Sequence, residues 1–169
     1  TNPPIDPIRE EMVMSLDSYL GRRRSVFEET EGHARLLHLA SPLMTDEEME
    51  QLRRIGEPAF HAITVPVLVD PAEGPAGMDA GLDRICRTAE QAIDDGATII
   101  ILSDRGISAD RAPIPMLLAV GAVHHHLIRC GRRMKASIIA ETGSARVVHQ
   151  LATLIGFGAS AVNPYLAFA

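Results

Sequence analysis

From Leu36 to the end of the chain, short apolar runs alternate with stretches of helical periodicity. Five of the runs have the length and aliphatic content of strands, at residues 36–40, 62–69, 98–102, 136–140 and 159–163. A helix that joins two strands returns the chain to the same end of the sheet, so consecutive strands must be parallel. The pattern predicts an α/β fold of five parallel βα units. Because five strands cannot close an eight-stranded barrel, the sheet is predicted to be open or to form an incomplete βα barrel.

Local signals mark the ends of the helices between these strands. Thr45 followed by Glu48 is typical of a capping box and predicts the start of the first helix. Gly96 suits the left-handed residue that follows a helix and predicts the end of the second. Pro115 favours the start of the third helix. The fourth is predicted from near Ser144 to Gly156, with Val147, Val148, Leu151, Leu154 and Ile155 facing the sheet.

The first 35 residues are predicted to be an extension of the same domain. After an extended, proline-rich opening, Asp6 is a suitable cap for a helix with Pro7 at its first position. Apolar residues then recur on one face as far as Leu20, and Gly21 ends the helix. We therefore divide the chain into an N-terminal segment, helix and connector at 1–35 and a parallel α/β core at 36–169, which together form one domain.

Composition narrows the class of protein. The chain has 169 residues, 46% of them apolar, and a net charge of −6. The basic run at 22–24 is closely followed by acidic residues, which argues against a nucleic-acid partner. No run of about 18 uncharged apolar residues occurs, so no membrane span is expected. The two cysteines, Cys86 and Cys130, lack metal or disulfide spacing and are predicted to be free thiols of a cytoplasmic protein.

Polar residues gather where the predicted strands end. They are Asp70, Ser103, Asp104, Arg105, Asp110, Arg111, Glu141, Thr142 and Asn163. The carboxyl ends of parallel strands meet at one edge of a sheet, where ligands commonly bind. Such a row would suit an anionic or polyol ligand, or a general acid and base. The alternative is that these residues cap helices, anchor loops and face a partner domain.

The histidine triplet His124, His125 and His126 is not predicted to bind a metal. Successive helical residues point about 100° apart, so three in a row cannot converge on one ion. No acidic residue stands four positions from the triplet, the spacing that helical zinc sites use. The sequence also lacks a full dinucleotide-binding glycine motif, a phosphate-binding loop and a nucleophile elbow.

Several motifs, in order along the chain, resemble the central domain of glutamate synthase large subunits. They are TNPPIDPIRE at 1–10, SDRG at 103–106, APIP at 112–115, AVGAVHHHL at 119–127, ETG at 141–143 and GASAVNPYL at 158–166. The resemblance covers essentially the whole chain. It implies a βα unit related in shape to an FMN-binding barrel.

The resemblance implies a three-part reaction for the parent enzyme. An N-terminal amidotransferase domain releases ammonia from glutamine, a tunnel carries it onward, and an FMN site adds it to 2-oxoglutarate with electrons from a 3Fe-4S cluster. The amidotransferase nucleophile is an N-terminal cysteine, whereas this chain opens on Thr1. The cluster needs three cysteines and the chain has two. We therefore expect no catalytic, cofactor-binding or metal residue here, and interpret the chain as a truncated piece that is inactive in isolation.

The expected partners follow from the same resemblance. They are the amidotransferase and FMN-binding domains of the same polypeptide and the small subunit of the parent enzyme, with NADPH as the favoured electron donor. Thr1 and Asn2 are predicted to lie near the ammonia tunnel. Residues predicted to order loops or contact other domains are Asp104, Arg105, Arg111, Glu141 and Asn163. Two alternatives stay open: a standalone small-molecule or flavin-binding α/β protein, and a homodimer formed through apolar surfaces that missing domains would cover.

Overall fold

The computed structural model describes residues 15–169. In chain order the strands are β1 (Ser18–Leu20), β2 (Leu37–Leu39), β3 (Ala62–Pro66), β4 (Leu68–Val69), β5 (Ile99–Ser103), β6 (Ala112–Pro113), β7 (Ser137–Glu141) and β8 (Ala161–Asn163). The α-helices are α1 (Asp46–Arg54), α2 (Gly74–Asp94), α3 (Met116–Arg129) and α4 (Val148–Gly156). Short 3₁₀ turns occur at Glu31–Ala34, Pro58–Phe60, Pro71–Glu73 and Arg133–Lys135.

A four-stranded parallel sheet forms the centre of the fold, in the order β3-β5-β7-β8. Every residue of β5, β7 and β8 is buried, which explains why these strands are continuous apolar runs rather than alternating ones. Within residues 15–169 the sheet is open and does not close into a barrel. The predicted α/β class, with an open parallel sheet, is confirmed.

The first of the five predicted strands is a strand but does not belong to the parallel sheet. Leu37–Leu39 pairs antiparallel with Ser18–Leu20, in the register Tyr19 to His38. The parallel sheet therefore has four strands rather than five. The 62–69 run is also divided: β3 joins the parallel sheet, while β4 pairs antiparallel with β6.

The predicted N-terminal helix is wrong at its C-terminal end. Residues 18–20 form strand β1, and Leu20 is fully buried against the apolar cluster that contains Met44 and Ile99. The earlier part of that predicted helix, including Asp6 and Pro7, lies outside the described residues. Pairing with β2 and burial of Leu20 outweigh the helical spacing of the local sequence, an example of tertiary context overriding propensity.

The helix boundaries agree with the local signals, except in α4. Thr45 and Glu48 form the predicted capping box: the Glu48 amide donates to Thr45 Oγ1 at 3.2 Å, and the Thr45 amide donates to Glu48 Oε2 at 2.7 Å. Helix α4 begins at Val148 rather than near Ser144. Its predicted buried face is wrong in part, since Val148 is 81% exposed whereas Leu154 is buried.

The two faces of the sheet bury separate apolar clusters. Because side chains alternate along a strand, Ile100 and Leu102 pack on the face covered by α2 and α3, whereas Ile99 and Ile101 pack on the other face with Met49 of α1. The sheet is thus held from both sides. Its strand ends, and the polar residues on them, are fixed in position by this packing.

Candidate functional site

The carboxyl edge of the parallel sheet brings the predicted polar residues together. Ser103, Glu141 and Asn163 are the last residues of β5, β7 and β8 and lie opposite one another in the strand register. All three side chains are buried, as are Asp104 and Thr142 beside them. Buried polar groups need hydrogen-bond partners, so the partners of these side chains determine what the edge can do.

Glu141 is at the centre of the edge and is completely buried. Arg53, from the last turn of α1, donates from Nη2 to both carboxylate oxygens at 2.8 Å. Arg105, from the loop after β5, donates from Nε to Oε1 at 2.8 Å. Two arginines on different elements therefore hold one buried carboxylate, which ties α1 and the β5 loop to the middle of the sheet.

The pKa of Glu141 shows that this pairing outweighs burial. Burial, the largest single influence, raises the pKa because it penalises the charged form. Hydrogen bonds from Arg53, Ser103 and Arg105 lower it, and together they place the pKa of Glu141 below its ordinary value. The group is thus an ionised structural carboxylate at neutral pH and is not suited to act as a general acid there.

Arg105 extends the network to a second carboxylate and an aromatic ring. Its Nη2 donates to Asp46 Oδ1 at 2.8 Å, and its guanidinium lies 4.0 Å from the centre of the Tyr165 ring. A planar guanidinium combines such stacking with directed hydrogen bonds, which lysine cannot reproduce. Contacts with Glu141, Asp46 and Tyr165 therefore fix the position of the Arg105 guanidinium.

Asp104 anchors the loop that follows β7. The hydroxyl of Thr142 donates to Asp104 Oδ2, the amide of Gly143 donates to Oδ1 at 3.1 Å, and the hydroxyl of Tyr165 donates to Oδ1 at 2.7 Å. Burial and then the hydrogen bond to Asp104 raise the pKa of Tyr165 to about 12. This carboxylate thus orders the loops that carry Gly143 and Tyr165.

Asn163 completes the edge at β8. Its Nδ2 donates to the carbonyl oxygen of Met44 at 2.9 Å and to Asp46 Oδ1 at 3.0 Å. That hydrogen bond to Asp46 is the largest of the influences that lower the pKa of this carboxyl. Asn163 Oδ1 is buried and has no hydrogen-bond partner within the described part of the chain.

A shallow cavity of about 390 Å³ opens above the network. Its charged lining consists of Asp46, Glu50, Arg53, Arg105, Arg111 and Glu141. The formal charges of these three acidic and three basic residues sum to zero. Arg53 is also bonded to Glu50 at 2.8 Å. Arg111 is exposed on the rim, and no ion pair joins it to any residue of 15–169. Among residues 15–169, the cavity thus offers one cationic side chain without an ion-pair partner, that of Arg111.

Some predicted residues do not join this network. Asp70 accepts a hydrogen bond from the Ala72 amide at 2.8 Å and caps the adjacent turn. Asp110 is exposed in the tight loop closed by the Ser108 and Arg111 backbones. Thr1 and Asn2 lie outside the described residues, so their predicted place near a tunnel stays a prediction.

Three members of the network were missed in the sequence. Asp46 follows the Thr45 cap and Tyr165 lies just beyond β8, so proximity to predicted element ends could have drawn attention to both. Arg53 carries no such signal, because it lies 88 positions from Glu141 and at the far end of its helix.

The edge does not fit the FMN or the 3Fe-4S cluster that the resemblance implies for a parent enzyme. Phosphate groups of flavins are commonly bound by backbone N–H groups of glycine-rich loops at helix N-termini, whereas Asp46, Glu50 and Glu141 bring negative charge to this cavity. Arg53 and Arg105 already bind those carboxylates. The chain's two cysteines are too few for the three thiolates of a 3Fe-4S cluster.

The fold and the edge together define a parallel α/β domain whose polar strand ends are paired with one another. The chain belongs to the glutamate synthase central domain family, whose model matches residues 1–169. It is 43% identical over 169 residues to the glutamate synthase [NADPH] large chain of Bacillus subtilis, covering 100% of this chain. It is 40% identical to the glutamate synthase [NADH] of Schizosaccharomyces pombe and 42% identical to the chloroplastic ferredoxin-dependent glutamate synthase of Spinacia oleracea, each over 99% of this chain.

The chain spans only about a tenth of the length of these relatives: 11% of the Bacillus protein, 8% of the yeast protein and 10% of the spinach protein. The suspected membership of this family is confirmed. Among residues 15–169, none of the helices combines the length and apolarity that crossing a membrane requires.

Proposed function

We propose that this chain is the noncatalytic central domain of a glutamate synthase, where it connects the site that releases ammonia from glutamine to the site that adds it to 2-oxoglutarate. The observation that carries the proposal is the pairing of Glu141 with Arg53 and Arg105. An edge that binds substrate needs unpaired groups directed at the ligand. Here those groups stabilise the domain instead.

Surface features support contacts with other domains. Leu118 is 44% exposed and Phe157 is 51% exposed beside a second cavity, of about 540 Å³, between α2 and α3. Exposed apolar groups of this kind are typical of surfaces that a partner covers. At the carboxyl edge, the exposed guanidinium of Arg111 is suited to a carboxylate on a neighbouring domain. We propose that Asp104, Arg105, Glu141 and Asn163 order the loops that present this rim.

The amidotransferase and FMN-binding domains and the small subunit are the proposed partners. FMN and the 3Fe-4S cluster belong, in this proposal, to the rest of the parent enzyme. NADPH stays the favoured electron donor, and the Bacillus relative named for it supports that choice. A cytoplasmic location also stays a prediction. Residues 1–35 and 36–169 are proposed to act as one domain, which the pairing of β1 with β2 supports.

The first test measures activity of the purified 169-residue chain. We expect neither ammonia release from glutamine nor glutamate formation from 2-oxoglutarate with added FMN, reductant and ammonium. A circular dichroism spectrum confirms that the chain is folded. Either activity above that of a boiled sample would overturn the noncatalytic assignment. This conclusion would hold whether or not a folded Glu141→Gln variant kept the activity.

A further inference from the structure

A cluster of three possible metal ligands lies between α2 and α3, away from the polar edge. Glu90 projects from α2, and His126 and Cys130 project from α3. One ligand atom of each residue lies within 4.8 Å of the others. His126 Nε2 and Glu90 Oε2 are 2.7 Å apart. The proposed function assigns no role to this cluster.

The spacing of the ligands is that of helical metal sites. His126 and Cys130 are four residues apart on α3, so both side chains lie on one face of the helix. No acidic residue occupies the position four residues after His126. The structure instead provides a thiol at that position and a carboxylate from the neighbouring helix. His124 and His125 are not needed.

We propose that Glu90, His126 and Cys130 form a site for a transition metal, best suited to Zn²⁺, that links α2 to α3. A thiolate and an imidazole exclude Mg²⁺ and Ca²⁺, which prefer oxygen ligands. Three protein ligands leave one position of a tetrahedral site for water.

The required movements are small. Tetrahedral bonds of about 2.0–2.3 Å place an imidazole nitrogen and a carboxylate oxygen about 3.3 Å apart, and a sulfur and a nitrogen about 3.6 Å apart. His126 Nε2 and Glu90 Oε2, now 2.7 Å apart, must separate by a few tenths of an ångström. The sulfur of Cys130 lies within 4.8 Å of the other two ligand atoms and must move closer to them. The side chains of His126 and Glu90 are 24% and 28% exposed, which leaves a path for the ion.

Neighbouring charges permit a cation. Arg132 is a competing cation, with Nη1 3.3 Å from Glu90 Oε1. Its Nε and Nη2 bind the two oxygens of Asp94 at 2.8 Å. Asp94 thus offsets the charge of Arg132, and Glu90 Oε2, the oxygen nearest His126, is left for the metal. With ionised Glu90 and Cys130, a divalent ion would make the site neutral.

The test uses Co²⁺ as a spectroscopic probe of the reduced chain. We expect one equivalent of Co²⁺ to produce a thiolate charge-transfer band that one equivalent of Zn²⁺ removes. Cys130→Ser should abolish the band, and His126→Gln should weaken affinity at least about tenfold, since even the loss of a residue that only hydrogen-bonds a metal ligand costs that much. Cys86→Ser and His125→Gln are the matched controls and should bind as the unaltered chain does.

The proposal fails if no thiolate band appears up to about 1 mM Co²⁺, the limit of weak binding. It also fails if the band survives Cys130→Ser or if His126→Gln binds normally. Should Cys130→Ser not fold, Glu90→Gln decides, because it retains the thiol and is expected to lower affinity at least about tenfold. An unchanged affinity in Glu90→Gln would exclude Glu90 as a metal ligand, and with it the proposed link between α2 and α3.

Discussion

Replacing Glu141 by glutamine should destabilise the domain more than any other change of a single charge at the edge. The carboxylate is buried and accepts hydrogen bonds from Arg53 and Arg105. Removing one partner of a buried ion pair costs about 3–5 kcal/mol. The arginine side chains are 26% and 42% exposed and keep some hydration, and glutamine still accepts one hydrogen bond. We therefore expect a loss of about 2–4 kcal/mol.

Thermal unfolding followed by circular dichroism measures this loss. For a domain of this size each kcal/mol lowers Tm by about 2–4 °C, so Glu141→Gln should unfold about 4–16 °C below the unaltered chain. Glu50→Gln is the control, because Glu50 is half exposed and pairs with Arg53 over one turn of α1. It should cost less than about 1 kcal/mol. Equal Tm values for Glu141→Gln and the unaltered chain, or equal losses in both variants, would show that the buried ion pairs of Glu141 do not stabilise the domain.

The same carboxylate predicts the acid limb of stability. The pKa of Glu141 is lower in the folded chain than its ordinary value. A lowered folded pKa means that the stabilisation is complete above the unfolded pKa, near pH 4.3, and is lost as the pH falls from there through the folded pKa. Stability of the unaltered chain should decline more steeply in this range than that of Glu141→Gln. Parallel acid limbs would show that the carboxylate is not the group responsible.

Other substitutions test the geometry elsewhere. Asn163→Asp should cost more than Asn163→Ala in urea unfolding, because a carboxylate would face two acceptors where the amide donates; the reverse order would contradict the assigned contacts. Gly158 and Gly96 both have positive φ, but only at Gly158 would a Cβ overlap the ring of His124. Gly96→Ala should cost about 1–2 kcal/mol and Gly158→Ala about 2–5 kcal/mol, and equal losses in chemical unfolding would show that the ring moves aside freely. The pKa of Tyr165 is raised to about 12 in the folded chain. The stabilisation from its hydrogen bond is therefore complete below the unfolded pKa and is lost as the pH rises from there through the folded pKa of about 12. An ultraviolet titration should lose its highest transition in Tyr165→Phe, and an unchanged titration would exclude the assignment.

The strands and the polar edge could be predicted because both depend on local patterns. Ile99–Ser103 and Ser137–Glu141 are buried on both faces and read as continuous apolar runs. Once these strands are parallel, Ser103 and Glu141 must lie at the same edge. Their proximity follows from topology alone.

The remaining features depend on contacts between distant residues. Ser18–Leu20 forms a strand because Leu37–Leu39 pairs with it, and helical spacing of Leu16 and Leu20 contains no trace of that pairing. Arg53 reaches Glu141 across 88 positions. Glu90 meets His126 across 36 positions, so only two of the three proposed metal ligands, His126 and Cys130, could be seen in the α3 sequence.

We propose that this domain orders the route between the two active sites of the parent enzyme without taking part in either reaction. The most direct measurement is the ammonia that escapes to solution per glutamine hydrolysed by the parent enzyme carrying Glu141→Gln in this segment. We predict that glutamine hydrolysis persists, that a larger fraction of ammonia escapes, and that glutamate formation from 2-oxoglutarate falls correspondingly. Loss of glutamine hydrolysis in a folded variant, or an unchanged escaping fraction, would contradict the account.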